Sequence, residues 1–404
     1  MAENSESSDV IVAGTGPAGM LAALAFARAG FSVGLAGPAA NRADGRTTAL
    51  MAPALAILDS VGVLSEIEPE SAPLRIMRIV DGTHRLVRSP VVTFHAGEIG
   101  ERHFGLNIPN RVLNSALESA VRQAPGIFWH ESLVDGWDIG EAQIAARLAD
   151  GSALAAKLAV AADGRNSPAR AAAGIRVSTK TYPQSALVLT FAHTRGHAFT
   201  STEFHTENGP FTQVPLPGDR SSLVWVMRSK EAERLAALPK DELSRIVEAR
   251  MQSMLGKVTV DAACQIYPLS ASLPAAFAKN RIALVGEAAH MFPPIGAQGL
   301  NLGIRDVQQL VEIASNNRTD PGSAKVMAAY DAKRRPDILA RTGAVSLLNR
   351  SLLSDLLPAQ LARSAGLGAL AAFAPLRALF MREGLRPGSG FFSIFSTVRE
   401  QVRR

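Results

Sequence analysis

The sequence has one cysteine, few aromatic residues and no long apolar segment that is free of charge. Cys264 alone cannot form an internal disulfide, which is typical of a protein from a reducing compartment. No run of about 18 residues is uninterruptedly apolar, so we expect no membrane-spanning helix. His193, His197 and His205 lack the spacing of metal ligands, and we predict no metal site.

The positive charge of the chain is not concentrated in one segment. The formal net charge is +6, without a lysine- and arginine-rich block that contains aromatic residues, so we do not expect a nucleic-acid partner. Residues 1–9 are polar and acidic, unlike the basic start of a signal peptide. A length of 404 residues with 47% hydrophobic and 19% charged residues is typical of a globular protein with two or three domains.

The first thirty residues carry the most informative pattern. Residues 10–13 form a short apolar run, and Gly14, Gly16 and Gly19 follow at the spacing GxGxxG before an alanine-rich segment that predicts a helix. In this arrangement the first glycine makes a tight turn, the second lets the backbone approach a pyrophosphate, and the third lets the helix pack closely on the strand. The free N–H groups at the helix N-terminus then bind phosphate. The pattern predicts a dinucleotide-binding site.

The rest of the chain alternates strand-like and helix-like segments, which indicates an α/β protein. Helices are predicted at 49–61, 110–123 and 240–255, from near Gly299, and in a tail from about Ser323. Strands are predicted at 31–36, 186–193, 211–216, 222–228 and 281–286, with a hairpin at the Asp81-Gly82 turn within 75–92 and a β-meander over 127–162. Residues 176–270 are rich in strands and predict a second sheet domain inserted in the first.

Two further glycine-containing segments follow apolar strands later in the chain. Asp163 and Gly164 form the first of these segments, and Gly286 with Glu287 begins the second, which continues into residues 293–306 (PPIGAQGLNLGIRD). In order and spacing, the three segments resemble the fingerprints of the para-hydroxybenzoate-hydroxylase-like flavoprotein monooxygenases. The resemblance covers most of the chain.

Shorter segments are similar to one group within that superfamily, the ubiquinone-biosynthesis hydroxylases. They are residues 44–50, 110–113, 213–216, 222–225 and 294–306. That group hydroxylates the aromatic ring of a polyprenylated phenol. The resemblance therefore implies a phenolic substrate of this kind, with dioxygen as the oxidant.

The resemblance also implies the fold and its division. We expect an α/β protein with a Rossmann-like FAD-binding domain, an inserted β-sheet substrate domain and a C-terminal helical segment. Residues 1–80, 98–175 and 271–322 are assigned to the FAD-binding domain, 81–97 and 176–270 to the substrate domain, and 323–404 to the helical region.

The implied activity is that of an FAD-dependent monooxygenase. In the family's cycle NAD(P)H is the transient reductant of FAD, and a flavin C(4a)-hydroperoxide transfers oxygen to the phenol ring. No residue of the sequence stands out as a catalytic base. Two other interpretations stay open: a flavoenzyme of the same fold that acts on another aromatic substrate, and a non-catalytic FAD-containing subunit that binds quinone precursors.

The matched motif positions imply the cofactor site. The FAD-binding residues expected from them are Gly14, Gly16, Pro17, Ala18, Gly19, Arg46, Arg111, Asp163, Gly164, Glu287, Pro294, Gly296, Ala297, Gln298, Gly299 and Asn301. Glu287 stands where the family usually has aspartate, and Ala297 where it has glycine. The second predicted strand is not followed by the usual carboxylate, so Asn41 or backbone groups are expected to contact the adenosine ribose. Bound NADP, with Arg42 near its 2′-phosphate, is the alternative.

The substrate pocket and the tail give the remaining expectations. Gln213, Trp225, Phe292 and Pro293 are pocket candidates, with core packing as the alternative for the last three, whereas His290 is expected to make a structural hydrogen bond. Residues 341–386 combine an apolar stripe with arginines, a pattern typical of a helix in an anionic membrane interface. We therefore expect a cytoplasmic protein that lies peripherally at the inner face of the membrane, in contact with a ubiquinone-biosynthesis complex. Packing of the tail on the FAD-binding domain stays open.

Overall fold

The computed structural model describes residues 5–39, 44–83, 88–261, 264–293, 298–353 and 357–385. The strands are β1 Ser5–Ser7, β2 Val10–Ala13, β3 Val33–Ala36, β4 Thr47–Met51, β5 Ala72–Leu74, β6 Ile76–Asp81, β7 Val92–His95, β8 Gly105–Pro109, β9 Ile127–His130, β10 Val134–Ile139, β11 Ile144–Leu148, β12 Ala153–Ala156, β13 Leu158–Ala161, β14 Val177–His193, β15 Thr200–Thr206, β16 Gly209–Leu216, β17 Arg220–Arg228, β18 Val258–Val260, β19 Gln265–Pro274, β20 Ala278–Lys279 and β21 Ile282–Leu284. The α-helices are α1 Pro17–Arg28, α2 Ala52–Ser60, α3 Leu64–Ile67, α4 Asn110–Gln123, α5 Pro168–Ala172, α6 Ser229–Ala236, α7 Lys240–Arg250, α8 Gln298–Ser315, α9 Ala324–Leu353, α10 Leu357–Ala372 and α11 Ala374–Leu385.

A mostly parallel sheet carries the glycine-containing motifs. Its strand order is β20-β21-β13-β2-β3-β9, and only the pair β20–β21 is antiparallel. All four residues of β2 and all four of β13 are buried, because a parallel sheet is covered by other elements on both faces. Helices α1, α4 and α8 contribute buried side chains to the same core. The predicted α/β architecture is confirmed.

A second, larger sheet has the order β18-β14-β17-β16-β15-β6-β7, and β19 also pairs with β14. Strands β14 to β17 cover the three segments that the sequence predicted as strands between residues 186 and 228. One face of this sheet packs against α6 and α7 and forms a separate hydrophobic core. The remaining strands form two small sheets, β1-β12-β11-β10 and β4-β8-β5.

The structure corrects several local predictions. The helix predicted at 49–61 begins only at Ala52, because residues 47–51 form β4 and pair with β8. The helix predicted at 240–255 ends at Arg250, and Gln252 and Ser253 have positive φ values of 54° and 51°. In the predicted meander, β9 and β13 belong to the parallel sheet. In each case pairing with a distant segment, or the backbone after the helix, overrides the local pattern.

The hairpin predicted at Asp81-Gly82 is also longer than expected. Strands β6 and β7 do pair antiparallel, but Ile79 lies opposite Val92, so the connection is not a two-residue turn. Strand β6 also pairs in parallel with β15, which makes it part of the larger sheet. Part of this connection, residues 84–87, lies outside the described residues.

The C-terminal segment is helical, as predicted. Helices α10 and α11 lie against a cluster that contains Val92, Phe94 and Phe104, into which Met381 is buried. The side chains of residues 344–359 are outside the described ones, so the leucine stripe there is not traced. Among the described helices none alone is long and apolar enough to cross a membrane, although the bent pair Ser364–Ala372 and Ala374–Leu385 meets the criterion jointly, with an angle of 106°.

Candidate flavin and substrate site

The three glycine-containing motifs lie at the carboxyl ends of adjacent parallel strands. They follow β2, β13 and β21, which are neighbours in the sheet. A Cβ atom built on Gly14, whose φ is +108°, would lie 2.3 Å from the carbonyl oxygen of Ala162 and 2.9 Å from the nitrogen of Asp163. A Cβ built on Gly286 would lie 3.1 Å from the Cβ of Ala18. The motifs therefore meet at the edge where α/β sheets bind ligands.

The glycines of the first motif have different surroundings. A Cβ on Gly19 would lie 1.9 Å from the carbonyl oxygen of Gly14, so this position excludes any side chain. Gly16 has ordinary backbone angles (φ −71°, ψ 172°), and no described atom lies within 4 Å of a Cβ built there. Helix α1 begins next at Pro17, and no described side chain caps its N-terminus. Open space beside an uncapped helix N-terminus fits the pyrophosphate of a dinucleotide.

Asp163 is held at the start of α5. Its Oδ2 accepts a hydrogen bond from the backbone nitrogen of Ala169 at 3.0 Å. Its Oδ1 is buried and has no hydrogen-bond partner among the described residues. Burial raises the pKa of the Asp163 carboxyl above its ordinary value. A donor supplied by a ligand or a water molecule would remove the cost of the unpaired oxygen.

Glu287 lies on the turn after β21 and is open to solvent. Its side chain is 58% exposed, and its Oε2 lies 3.8 Å from Nε of Arg165, which follows the second motif. The contact joins the second and third motifs across the strand ends. The exposed carboxylate is accessible to a hydroxyl group of a bound ligand.

Arg46 lies between the strand ends that carry the three motifs and the larger sheet. It donates to both carboxylate oxygens of Asp44, and its guanidinium carbon is 5.5 Å from the ring centroid of Tyr267 on β19. Asn110 also donates to Asp44, at 2.9 Å. Burial alone would raise the pKa of the Asp44 carboxyl, but these hydrogen bonds hold it below its ordinary value. The charged pair therefore persists near neutral pH.

Arg111, which follows Asn110 at the start of α4, contacts Glu70. Its side chain is 62% exposed, and its Nη2 is 3.4 Å from Oε2 of Glu70, which is itself 57% exposed. No contact described for Arg111 joins it to the three motifs.

The start of α8 is tied to β4. The Oδ1 of Asn301 accepts from the backbone nitrogen of Met51 at 2.8 Å, and its Nδ2 donates to the carbonyl of Ala49 at 2.8 Å. A Cβ on Gly303 would lie 3.0 Å from the Cα of Gly286, so α8 packs directly on the start of the third motif.

Several predicted site residues lie outside the described ones: Pro294, Gly296, Ala297, the side chain of Gln298, Asn41 and Arg42. Gly164 and Gly299, which belong to the second and third motifs, both have space for a Cβ.

A buried ionic network lies behind the third motif. The side chains of Asp306, His290 and Arg334 are fully buried. Asp306 accepts from the nitrogen of Gly286 at 3.0 Å and from Nε of Arg334 at 2.7 Å, and it contacts Nε2 of His290 at 2.8 Å. Burial by itself would lower the pKa of the Arg334 guanidinium, but the charge of Asp306 raises it.

The network contains the hydrogen bond predicted for His290, and it includes a residue that the sequence analysis did not identify, Arg334. The structural hydrogen bond expected of His290 is confirmed. Arg334 lies within a helical stretch with other arginines, so the sequence did not distinguish it. The ring of His290 is 5.3 Å from that of Phe292, which is half-buried, and Pro293 is buried next to it.

The two faces of the larger sheet differ in what they contact. Trp225 and Gln213 lie on the face covered by α6 and α7. Trp225 is 8% exposed and packs edge-to-face on Phe211, and Gln213 is fully buried and donates to Ser221. Both therefore belong to the protein core rather than to a pocket wall.

The opposite face of the larger sheet points toward the strand ends that carry the three motifs. Ser222 on this face contacts Thr47 of β4 at 3.0 Å. Its half-exposed apolar residues include Val188, Val214 and Val224. We call this surface the open face, and the alternation of side chains along paired strands defines its members.

The histidines make protein contacts. Among the described residues, no group of three or more His, Cys, Asp or Glu side chains is placed to hold a metal ion. His193 contacts Ser221 at 3.1 Å, and His205 contacts Glu203 at 2.9 Å.

Comparison with known proteins agrees with this geometry. Residues 7–342 match the family model described as an FAD binding domain. The chain is 35% identical to ubiquinone hydroxylase UbiL of Rhodospirillum rubrum, over 94% of this chain and 89% of that protein. It is 28% identical to 3-demethoxyubiquinol 3-hydroxylase of Escherichia coli, over 89% of this chain and 94% of that protein.

Solved structures show the same fold. The p-nitrophenol 4-monooxygenase PnpA of Pseudomonas putida superposes with a TM-score of 0.74 at 21% identity, covering 94% of this chain and 97% of that one. PqsL of Pseudomonas aeruginosa, a probable FAD-dependent monooxygenase, gives 0.75 at 23% identity, covering 90% of this chain and all of that one. The chain belongs to the FAD-binding-domain family of para-hydroxybenzoate-hydroxylase-like monooxygenases.

Proposed function

We propose that this protein hydroxylates the aromatic ring of a polyprenylated phenol in ubiquinone biosynthesis, with FAD as its cofactor and dioxygen as the oxidant. The observation that carries the proposal is the 35% identity to a ubiquinone hydroxylase over nearly the whole length of both chains. The open face of the larger sheet, next to the converging motifs, supports it because an aromatic substrate needs an apolar wall beside the cofactor.

The residues would hold FAD at the strand ends. The N-terminus of α1, with the open space at Gly16, would bind the pyrophosphate. Asp163 and Glu287 would accept hydrogen bonds from hydroxyl groups of the cofactor. Bound FAD would supply the activation of dioxygen, which amino-acid side chains cannot supply themselves. The protein would position the ring and exclude water.

NAD(P)H is the proposed transient reductant. Anaerobic mixing of the FAD-loaded protein with NADH or NADPH is expected to bleach the flavin absorbance, faster when a prenylated phenol is present. If neither nucleotide reduces the flavin but a reduced protein partner does, NAD(P)H is excluded as the direct reductant.

A membrane surface is the proposed place of substrate transfer, because a polyprenylated phenol resides in the bilayer. The C-terminal segment exposes large apolar side chains. Leu361 on α10 is 52% exposed, Phe380 on α11 is 56% exposed, and Phe373 in the link between the two helices is 66% exposed. Apolar residues of this kind on a chain of net charge +6 suit a peripheral contact with an anionic leaflet.

Deletion of the gene tests the proposed function. The cells are expected to accumulate a quinone precursor that lacks one ring hydroxyl, identified by mass spectrometry. Re-expression of the wild type restores the later intermediates. Normal quinone content after deletion, in a strain with no second hydroxylase, would contradict the proposal. Restoration by a variant that cannot bind FAD would indicate a non-catalytic subunit.

A further inference from the structure

A hydrogen-bonded carboxylate–imidazole pair lies on the open face, and neither the cofactor motifs nor the core packing accounts for it. Oε1 of Glu203 lies 2.9 Å from Nε2 of His205 on the same strand, β15. Thr212 of β16 donates from its Oγ1 to Oε2 of Glu203 at 3.3 Å. The side chains of Glu203 and His205 are only 19% and 5% exposed.

The strand register places Glu203 in a row of otherwise uncharged residues that crosses the sheet. Residues opposite one another in paired strands share a face. Ile79, Glu203, Thr212, Val224, Val188 and Gln265 therefore form one row on this face, and Ile79, at one end of the row, is covered by the cluster that α10 and α11 pack against. Apart from Glu203, the row is apolar or carries a neutral polar group, as a wall for an aromatic ring with one polar substituent would be.

Contacts on the same face connect this row to the cofactor side. Ser222, two residues from Val224 on β17, contacts Thr47 of β4. Strand β4 is in turn bound by Asn301, a residue of the third motif in the first turn of α8. Glu203 thus lies on the surface that faces the converging motifs, whereas Trp225 on the same sheet faces away from them.

The charge state of Glu203 suits a hydrogen-bond acceptor. Burial alone would raise the pKa of its carboxyl, but the hydrogen bonds from His205 and Thr212 hold the pKa below its ordinary value. A carboxylate has about four acceptor positions, and these two contacts leave others for a ligand. Asp81 of β6 lies opposite His205 and is another carboxylate among the described residues of this part of the face.

Fold stability alone does not explain a buried carboxylate here. Burying a carboxylate costs free energy because its charge loses hydration, even where it accepts hydrogen bonds. Nearby positions of the face show that the sheet accepts valine there. A ligand that donates a hydrogen bond to the carboxylate would account for the pair.

We propose that Glu203 accepts a hydrogen bond from the phenolic hydroxyl of the substrate, with His205 and Thr212 as positioning residues that fix its carboxylate. The assignment rests on the proposed function. The contact orients the ring and increases its electron density, which favours attack on an electrophilic oxygen. The remaining ring surface lies on the valines of the open face.

Substrate binding tests the assignment without turnover. FAD-loaded protein is titrated with a short-chain prenylated phenol and with its methyl ether, which lacks the O–H donor, and binding is followed by the flavin absorbance. The wild type is expected to prefer the phenol, and Glu203→Gln is expected to lose most of that preference. Glu233→Gln on α6, an exposed position behind the other face, is the matched control and keeps it.

Turnover gives a second readout. Glu203→Gln is expected to lower the hydroxylation rate at saturating phenol by about 10²-fold while flavin reduction continues, so that hydrogen peroxide replaces product. Thr212→Val, which keeps the charge but loses one hydrogen bond, is expected to fall between Glu203→Gln and the wild type. Thr212→Val is also the variant to measure if Glu203→Gln fails to retain FAD.

The outcomes separate the two proposals. A wild type that hydroxylates the phenol, together with a Glu203→Gln variant of unchanged phenol preference and unchanged product yield, overturns the role of Glu203 alone. A wild type that binds FAD but hydroxylates no prenylated phenol overturns the proposed function and this inference with it.

Discussion

Gly14, Gly16 and Gly19 have the same absence of a side chain but different neighbours. Gly14 and Gly19 are fixed by backbone atoms that a Cβ would touch, whereas Gly16 faces open space. The spacing of the three residues predicts the motif from sequence, because each role recurs in this type of turn. The open space at Gly16 and the close backbone contacts at Gly14 and Gly19 fit the roles that the spacing predicts for each of them.

The open space at Gly16 allows FAD binding to be tested separately from folding. Gly16→Val is expected to keep the melting temperature of the apoprotein within a few degrees, because its backbone angles are ordinary and no described atom obstructs the side chain. FAD binding is expected to be lost, since the valine occupies the space for the pyrophosphate. Flavin content after purification and fluorescence titration measure this loss.

Two controls accompany that variant. Gly97 has equally open surroundings outside the three motifs, so Gly97→Val is expected to keep both stability and FAD. Gly19→Val is expected to impair folding itself, because of the 1.9 Å approach to the carbonyl of Gly14. Retention of FAD by Gly16→Val would place the pyrophosphate elsewhere.

Glu287 allows a second test at this scale. If it accepts a hydroxyl of FAD, Glu287→Ala is expected to weaken FAD binding by roughly 1–3 kcal/mol, and Glu287→Asp to bind at least as well as the wild type. The apoprotein should be nearly as stable as the wild type, because the exposed 3.8 Å contact with Arg165 contributes little. Equal FAD affinity of the alanine variant and the wild type, in fluorescence titrations, would remove Glu287 from the site.

The elements were predictable where their patterns are local. Helix α4 has the predicted bounds because its apolar residues recur at helical spacing. Strand β4 was not predictable in the same way, because it pairs with β8, more than 50 residues away in sequence. Strand β6 was predicted as part of a hairpin, but its pairing with the distant β15 was not. The sequence predicted strands at 211–216 and 222–228, but only the packing of α6 and α7 identified which face of β16 and β17 is the core.

The helices α8 and α9 meet through a network that sequence motifs alone did not reveal. Asp306→Ala is expected to lower the free energy of unfolding by about 3 kcal/mol, because the buried Arg334 guanidinium loses one of its two carboxylate partners and keeps only Asp337. Asp306→Ala combined with Arg334→Met is expected to lose less, since no buried charge remains uncompensated. Urea unfolding of the three proteins measures this, and a double variant less stable than the single one would contradict the account.

For the whole molecule, the C-terminal helices both pack on the protein and expose apolar side chains. Met381 is buried against the cluster at Phe94, so the tail packs on the protein, while Phe373 and Leu376 are 66% and 41% exposed. Removal of the tail after Asp337 would therefore uncover a hydrophobic cluster, and surface substitutions are the cleaner test of membrane contact.

Phe373→Ser with Leu376→Ser is expected to reduce binding to anionic liposomes by about tenfold or more, since each residue loses apolar area that the membrane would bury. Binding of the wild type is expected to weaken with salt. Phe128→Ser with Leu133→Ser, at positions 48% and 62% exposed on and beside β9, is the matched control and should bind like the wild type. Sedimentation with liposomes at low salt measures all three, and equal binding would exclude this surface of the tail.

The most direct test of the central claim is a single turnover with labelled oxygen. FAD-loaded protein is reduced anaerobically, then mixed with ¹⁸O₂ and a short-chain prenylated phenol, and the products are analysed by mass spectrometry. The account predicts a ring-hydroxylated phenol that carries one ¹⁸O atom, in an amount close to that of the flavin. Complete reoxidation of the flavin with hydrogen peroxide as the sole product, over a series of prenylated phenols, would contradict it.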